Sequence, residues 1–405
     1  MMSKNQNDLA TTWCICTVEL LCALLPNTNA MAAEQKPDNA ALLYYQAFLL
    51  CPNPNDIPQG IGEVFHAESG IDVEDYRSYV KDYQHMIQLA MAASNIPYCN
   101  WSIPYSQGAE VRAKLMPLTR SLALLIGANV RVLAADGEYS KALSQSLMLR
   151  QFAKHIANDP DVFEAVPITV DRVALYCVHF VLDVMPPNEK TLKSLREQLI
   201  SMQPISELLP VRNKQNFEKL IRAIIKDPGS TFYSLRQKLA EKANDEAHRK
   251  EAMALTDNEL LELIRESYTE FLDSVFKTMT SEMTYEQKYM RLEKLQEQYQ
   301  EQAKNNPAII LPLKLEAGTI PGSYCIQVTH TALFNAVKAA IEIYLLKATT
   351  VRLPKVLPNG LPEDPFSGKD FEYEVTEKGF VLRCRVKDIK WGNVRHYEFK
   401  VQKEK

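Results

Sequence analysis

The stretch PLTRSLALLIGANVRVLAADGEYSKALSQSLMLRQFAKHIA, residues 117–157, decides the fold, because it holds two apolar-faced helical patterns joined by a short turn. Apolar residues recur at three- and four-residue steps on both sides of Asp136-Gly137, which is typical of amphipathic helices. A connection this short makes the two helices antiparallel. The stretch therefore predicts a helical hairpin whose apolar faces are turned inwards.

Similar patterns flank this hairpin. Predicted helices cover residues 38–49 with Asp38 as N-cap, 73–93, 161–185 with a kink near Pro167, and 189–202. The spacing of Gly137, Tyr139 and Ala142 is like one tetratricopeptide unit, but no second copy follows about 34 residues later, the period that such repeats require. We therefore predict a repeat-like domain of stacked helical hairpins at residues 33–203.

The second half of the chain predicts more helix and then a small sheet. Residues 204–306 are rich in charge and form a predicted helical middle region. Residues 307–353 hold a Pro-containing linker and an amphipathic helix. Alternating apolar and charged residues within 354–405 predict an antiparallel β ribbon packed on that helix. The predicted fold class is mainly α, with stacked antiparallel helical hairpins and a small C-terminal antiparallel β ribbon.

The N-terminus has the composition of an export signal. Lys4 precedes an apolar run at residues 13–25, and Ala30 and Ala32 are small residues just before a predicted cut ahead of Ala33. Glu19 interrupts the run, so a frayed or buried helix of a cytosolic protein and an uncleaved anchor remain as alternatives. The run is shorter than the ~20 residues that span a bilayer. We expect a signal peptide at residues 1–32, a periplasmic or extracellular location, and no transmembrane segment in the mature chain.

Composition excludes some partners. The chain has 405 residues, with 46 basic and 50 acidic side chains and a net charge of -4. This balance gives no global field that attracts DNA, RNA or anionic lipid. Only 13 glycines occur, which favours helix.

Cysteines and histidines give no strong motif. Outside the predicted signal the cysteines are odd in number and sparse, so they form no disulfide framework. Cys51 and Cys99 lie at helix-to-loop junctions and are the candidate pair for a disulfide, with isolated thiols as the alternative. The sequence contains no HExxH, no GxxxxGK[ST], no GxSxG and no GxGxxG. We therefore predict no metal and no cofactor, and we expect His155 and His179 to be core imidazoles.

Four residues are candidates for binding. Trp101 and Tyr105 lie in an aromatic loop that could present a platform to a ligand. Arg131 and His155 lie on apolar helices, where a buried guanidinium must find an acceptor, so they are candidates for a polar centre. Residues 364–369, DPFSGK, combine a carboxylate, a serine and a lysine. Proline and glycine make a structural turn the stronger interpretation of that segment.

Several motifs resemble an uncharacterised family of secreted, mostly helical bacterial proteins. In the first half these are NAALLYYQAF at 39–48, CNW at 99–101, LTR at 118–120, Arg131 and AKH at 153–155. In the second half they are AIEIY at 340–344, DPFSGK at 364–369 and GFVL at 379–382. The family's tryptophan motif is usually Cys-Asp-Trp-Gly, whereas this chain has Asn100 and Ser102. The last two motifs are similar to the C-terminal module of pilin-like secretion proteins, in which a helix supports a small sheet. The resemblance implies export and a mainly helical fold, and it implies no activity.

These observations favour a non-enzymatic role. We expect an envelope scaffold that binds a protein partner through the groove or flank of its stacked helices. The alternative is an envelope hydrolase or a small-ligand-binding protein whose site is assembled from distant residues.

Overall fold

A computed structural model describes most of the chain between residues 38 and 402. The described residues are 38–58, 61, 72–102, 105–158, 165–200, 202, 204–205, 231–242, 245–305 and 320–402, and some side chains within these ranges are not described. The predicted signal peptide at residues 1–32 lies outside the described residues. So do residues 307–319 of the predicted linker and residues 206–230 of the predicted middle region. The described residues from Asn39 onwards belong to one compact unit.

Helices make up the first half of the described chain. They are α1 (Ala40–Leu49), α2 (Glu74–Asp82), α3 (Gln84–Ser94), α4 (Tyr105–Ala135), α5 (Tyr139–Ala157), α6 (Ala165–Val184) and α7 (Glu189–Ile200). Helices α4, α5 and α6 pack against one another, and α3 packs against both α1 and α5. Gly137 turns the chain between α4 and α5 with a φ of 77°, a conformation that glycine adopts without strain. The predicted hairpin and the mainly helical fold class are confirmed.

The structure corrects the start of α1. The N-cap is Asn39, whose side-chain oxygen accepts a hydrogen bond from the backbone N–H of Ala41 at 3.1 Å. Asp38, the predicted cap, lies one residue too early. Asn39 also exchanges hydrogen bonds with the backbone of Asn100, at 2.8 and 2.9 Å, and so ties the start of α1 to the CNW loop.

The helix predicted over residues 73–93 is two helices, because it breaks at Tyr83. The side-chain amide of Gln84 supports the break, since it donates to the carbonyl of Val80 at 3.3 Å and to Asn129 at 2.8 Å. The kink predicted near Pro167 is absent from the described helix. Pro167 lies in the first turn of α6, where a proline interrupts no helical hydrogen bond.

The second half adds the helices α8 (Thr231–Lys242), α9 (Glu246–Ala254), α10 (Asp257–Met279), α11 (Tyr285–Asn305) and α12 (Ile320–Thr350). A capping box of Thr256 and Glu259 begins α10. The apolar stripe of α11 is buried, and the rings of Tyr299 and Phe271 lie 4.5 Å apart. Helix α12 packs against α6, α7 and α11. The predicted segments 33–203 and 307–353 therefore share one core.

Three antiparallel strands form the C-terminal sheet, in the order β1 (Glu372–Val375), β2 (Gly379–Lys387) and β3 (Val394–Lys400). Gly379 faces Lys400 in the register, and a Cβ there would lie 1.9 Å from the carbonyl oxygen of Phe399, so this close pairing requires glycine. The predicted ribbon is confirmed. Strand β3 packs on α6 as well as on the predicted helix α12, so the sheet closes onto the hairpin stack.

The second part of α4 is a long apolar segment. Lys114–Ala135 is long and apolar enough to cross a membrane by length and composition. Most of this segment is buried inside the protein. A buried core helix can have the same length and apolar composition as a membrane-spanning helix. The finding does not identify a membrane span, and the absence of one from the mature chain stays a prediction.

Candidate functional site

Trp101 lies inside the protein. It is 7% exposed and stacks against the rings of Tyr44 and Phe48, with centroids 5.4 and 6.1 Å away. Its indole N–H donates to the backbone carbonyl of His155 at 3.0 Å. The predicted exposed platform is therefore corrected, because α1 covers the ring. The side chain of Tyr105, its predicted companion, is outside the described residues.

His155 is a buried core imidazole, as predicted. Its Nδ1 lies 3.1 Å from the hydroxyl of Tyr44, and its Nε2 lies 2.8 Å from the side-chain nitrogen of Gln151. Burial, assisted by the charge of Lys154, lowers the pKa of His155 to about 4. The ring is thus neutral near pH 7 and joins α1 to α5.

Arg131 is also buried, but it packs on α6. Its guanidinium carbon lies 4.8 Å from the centre of the Phe180 ring, within the range of a cation–π contact. Arg131 and His155 were predicted as one polar centre. The structure does not bring these two side chains together, and a different set of residues forms the buried polar centre of the helical body.

Cys51 and Cys99 are free thiols in this structure, so the predicted disulfide is not formed. The sulfur of Cys51 lies 3.4 Å from the sulfur of Met86 and 3.8 Å from the carbonyl oxygen of Leu118. Burial raises the pKa of the Cys51 thiol to about 12. Cys51 therefore behaves as a small apolar group, which is the alternative that the sequence left open.

The polar centre of the helical body is a set of three residues, Arg150 on α5, Asp171 on α6 and His330 on α12, which we call the buried triad. Arg150 binds Asp171 through two hydrogen bonds, Nε to Oδ1 at 2.7 Å and Nη2 to Oδ2 at 3.2 Å. His330 Nε2 lies 2.8 Å from Asp171 Oδ2. The guanidinium of Arg150 also stacks on Phe334 of α12, 4.5 Å from the ring centre.

The electrostatics of the buried triad favour an ionised Asp171. Burial alone raises the pKa of Asp171, but the charge of Arg150 and the hydrogen bond with His330 outweigh it and hold this pKa below its ordinary value. An ionised carboxylate can only accept hydrogen bonds, so His330 Nε2 carries a proton. The triad therefore connects three helices through charge-assisted hydrogen bonds.

A histidine beside an aspartate is also the pair that activates nucleophiles in many enzymes. Here, however, Arg150 is 4% exposed, and both Asp171 and His330 are 0% exposed. Within the described part of the chain these three side chains are enclosed, and their contacts support cohesion of the core. Among the residues that the structure describes, no group of three or more His, Cys, Asp or Glu side chains is arranged to hold a metal ion.

The DPFSGK segment is a structural turn, which was the stronger interpretation. Asp364 is fully buried, and its carboxylate accepts hydrogen bonds from the backbone N–H of Phe366 at 3.0 Å and of Arg385 at 2.8 Å, and from the hydroxyl of Ser367 at 2.7 Å. These bonds attach the turn to β2. The carboxylate is engaged within the fold, so it is not a ligand-binding group.

A second polar cluster attaches the sheet to α6. His179 Nε2 lies 2.7 Å from the carbonyl oxygen of Glu398, and the His179 ring packs 4.2 Å from Phe399. Asp183, one turn further along α6, accepts a hydrogen bond from the backbone N–H of Lys400 at 2.8 Å. Tyr344 of α12 donates to the carbonyl of Lys400 at 2.6 Å. Strand β3 is thus held from two helices.

We expect acid to destabilise the fold through His179. Burial lowers the pKa of His179 from 6.5 to about 4, in spite of the hydrogen bond to Glu398. The unfolded chain therefore takes up this proton at a higher pH than the folded chain. The contribution of His179 is complete above about pH 6.5 and is lost as the pH falls to about 4, a change of about 3 kcal/mol. Urea unfolding measured across this range checks the slope.

The control for this prediction is His179→Phe, which keeps the ring contact with Phe399 but cannot be protonated. Its free energy of unfolding should fall less steeply with acid than that of the wild type, and His155 should account for part of the remaining slope. If both proteins lose stability equally between about pH 6.5 and pH 4, His179 does not carry the effect.

An open groove of about 520 Å³ lies on the outside of the helical stack. We call it the outer groove. It is lined by the end of α3, the loop that follows α3, the exposed face of α5 with the residue after it, and Gln198 of α7. The lining residues are Ser94, Asn95, Pro97, Ser144, Leu147, Met148, Gln151, Lys154, Asn158 and Gln198. Gln151 connects this groove to the core, since the same side chain contacts His155.

The lining of the outer groove is polar but almost uncharged. Among its described residues, amide and hydroxyl side chains predominate, Leu147, Met148 and Pro97 are apolar, and Lys154 is the charged one. Its volume lies within the range of ligand sites, about 300–1,000 Å³. The arrangement can exchange hydrogen bonds with a ligand and contact its apolar groups.

The sequence pointed to the loop that contains Asn95 and Pro97 as a candidate binding loop, but it singled out neither the groove residues of α5 and α7 as a site nor the buried triad. The argument applied to Arg131, that a guanidinium on an apolar helix must find an acceptor, applies equally to Arg150 and would have found it.

Comparison with protein-family models, with curated proteins and with solved structures finds no match to this chain.

Proposed function

We propose that the protein is an exported, non-enzymatic scaffold that binds an extended segment of a partner polypeptide in the outer groove. The observation that carries the proposal is the difference in position between the buried triad and the outer groove. The charged groups best suited to chemistry, those of the buried triad, are sealed in the core, whereas the outer groove is open and lined by groups suited to recognition.

The chemistry of the lining favours a polypeptide. The side-chain amides of Asn95, Gln151 and Asn158 can each donate and accept hydrogen bonds, as the backbone of an extended peptide requires. Leu147 and Met148 provide an apolar floor for its side chains, and methionine adapts to different shapes. Lys154 favours a carboxylate on the bound segment, either an acidic side chain or a chain end.

Export is supported by the sequence alone. The apolar run at residues 13–25 and the small residues before Ala33 have the pattern of a signal peptide, and the resemblance of several motifs to a secreted family would agree with export. N-terminal sequencing of the protein recovered from fractionated native cells tests this part. We expect a mature chain that begins near Ala33. A cytosolic chain that begins at Met1 or Met2 would contradict it.

Peptide selection tests the binding part. A random peptide library is selected on the intact protein, and the affinity of a selected peptide is measured by fluorescence anisotropy. Ser144→Trp places an indole in the outer groove from an exposed position of α5, so it should weaken binding by about tenfold or more, or roughly 1.4 kcal/mol. Ser140→Trp, one turn earlier on the same helix and outside the lining, is the matched control and should bind normally.

Lys154→Gln tests how the charge of the groove contributes to binding, because it removes the charge and keeps a long polar side chain. It should weaken peptides that carry a carboxylate at the contact by about fivefold, or roughly 1 kcal/mol, and leave uncharged variants of the same peptides unaffected. The proposal fails if no peptide is enriched over background, or if Ser144→Trp binds the selected peptides as tightly as Ser140→Trp does.

A further inference from the structure

A rigid, exposed turn joins β2 to β3. We call residues 387–393 the hairpin tip. Its base is Asp388, which is fully buried and accepts hydrogen bonds from the backbone N–H groups of Lys390 at 3.0 Å and Trp391 at 3.4 Å. The backbone closes the turn with two more bonds, from Asp388 to Asn393 at 2.9 Å and from Gly392 to Asp388 at 2.7 Å. The tip therefore has one defined conformation.

The helical body also holds Asp388. Tyr285 of α11 and Thr329 of α12 donate to its carboxylate at 3.5 and 3.3 Å. Arg395 of β3 donates to Oδ2 at 2.8 Å. This arginine balances the charge of Asp388, so the buried carboxylate contributes no net negative charge to the tip. The buried carboxylate of Asp388, with its several hydrogen-bond donors, therefore holds the solvent-exposed hairpin tip in place.

The tip presents apolar and basic groups together. Trp391 is 61% exposed and Ile389 is 38% exposed, although both are large apolar side chains. The ammonium group of Lys390 lies 5.3 Å from the centre of the Trp391 ring, and Lys387 at the edge of the tip is exposed as well. Such a combination matches an interface between an apolar phase and negatively charged headgroups.

We propose that the hairpin tip binds the surface of an anionic lipid bilayer, with Trp391 at the level of the headgroups and Lys387 and Lys390 on their phosphates. The small area of the tip favours a bilayer over a protein. Two exposed apolar side chains offer far less surface than the roughly 1,000 Å² that a specific protein interface buries. A bilayer instead accepts a single indole at its interface, and each nearby cation adds about 1 kcal/mol.

The net charge of the whole chain, -4, gives no general attraction to such a surface. Binding would therefore be local, weak and oriented, with the hairpin tip towards the lipid. It is independent of the outer groove, which lies on other elements of the fold.

Vesicle co-sedimentation tests the proposal on the chain that starts at Ala33, the predicted mature start, which lacks the apolar run at residues 13–25. Vesicles of phosphatidylcholine mixed equally with phosphatidylglycerol are compared with vesicles of phosphatidylcholine alone. We expect about tenfold tighter binding to the anionic vesicles, weakened by high salt. Lys390→Gln should reduce the affinity by about fivefold. Trp391→Ala should reduce it by at least as much, and Tyr233→Ala, which removes another exposed aromatic ring, should leave it unchanged.

Lipid quenching shows which part of the chain touches the bilayer. From Ala33 onwards the chain has two tryptophans, Trp101, which is enclosed in the core, and Trp391. Phosphatidylglycerol brominated on its acyl chains should quench the emission of Trp391 in this chain. The proposal is overturned if brominated lipid does not quench this emission, or if Trp391→Ala binds anionic vesicles as the wild type does.

Discussion

Replacing Asp171 by alanine is expected to lower the free energy of unfolding by about 3–5 kcal/mol. The carboxylate is fully buried and pairs with Arg150 through two hydrogen bonds and with His330 through a third. Its removal leaves a buried guanidinium without its counter-charge, and that uncompensated charge dominates the loss. Urea denaturation near pH 7, followed by far-UV circular dichroism, measures the effect.

A paired substitution is the control. In the variant Arg150→Met with Asp171→Leu, both charges are replaced by apolar groups of similar volume, which is often neutral or stabilising for buried ion pairs. This double variant should be more stable than Asp171→Ala alone. If Asp171→Ala loses less than about 1 kcal/mol, the pair behaves like a surface salt bridge, and the role given to the buried triad is wrong.

Replacing Trp101 by alanine is expected to cost about 3–5 kcal/mol as well. The ring is enclosed by Tyr44 and Phe48 of α1, and its N–H donates to the carbonyl of His155. Alanine would leave a large cavity between α1 and α5 and remove one of the two hydrogen bonds that the described residues donate to the His155 carbonyl, the other coming from the backbone N–H of Asn158. Thermal and urea unfolding of the variant measure the loss.

The chain offers a matched control of the same residue type. Trp391→Ala removes a largely exposed indole from the hairpin tip and should change stability by no more than about 0.5 kcal/mol. Trp101→Phe keeps most of the ring but loses the hydrogen bond, so its loss should be intermediate. Equal effects of Trp101→Ala and Trp391→Ala would contradict the enclosed position of Trp101.

Much of the fold could be predicted because it depends on local pattern. Three- and four-residue periodicity places α5 and α7 almost to the residue, and alternation places the three strands. The break at Tyr83 was missed. At this position the Gln84 side chain contacts Asn129, which lies 45 residues further along the chain, and the apolar periodicity of residues 73–93 carries no information about that contact.

The candidate site was less predictable because its members are distant in sequence. Asp171 is 21 residues from Arg150 and 159 residues from His330, so no motif spacing relates them. Trp101 was expected on a surface because it lies in a loop, but α1, more than 50 residues earlier in the chain, covers it. The outer groove is lined by residues of α3, α5 and α7, which are distant in sequence, and periodicity alone does not specify how these helices are placed.

Hydrogen–deuterium exchange with and without a selected peptide tests most directly the central claim that binding occurs outside and the core is sealed. We expect the peptide to slow exchange at residues 94–97 and around Gln198, which border the outer groove, and to leave α6 near Asp171 and α12 near His330 unchanged. Peptide-induced changes centred on Asp171 and His330, with none at residues 94–97, would show a ligand reaching the core and would contradict the account.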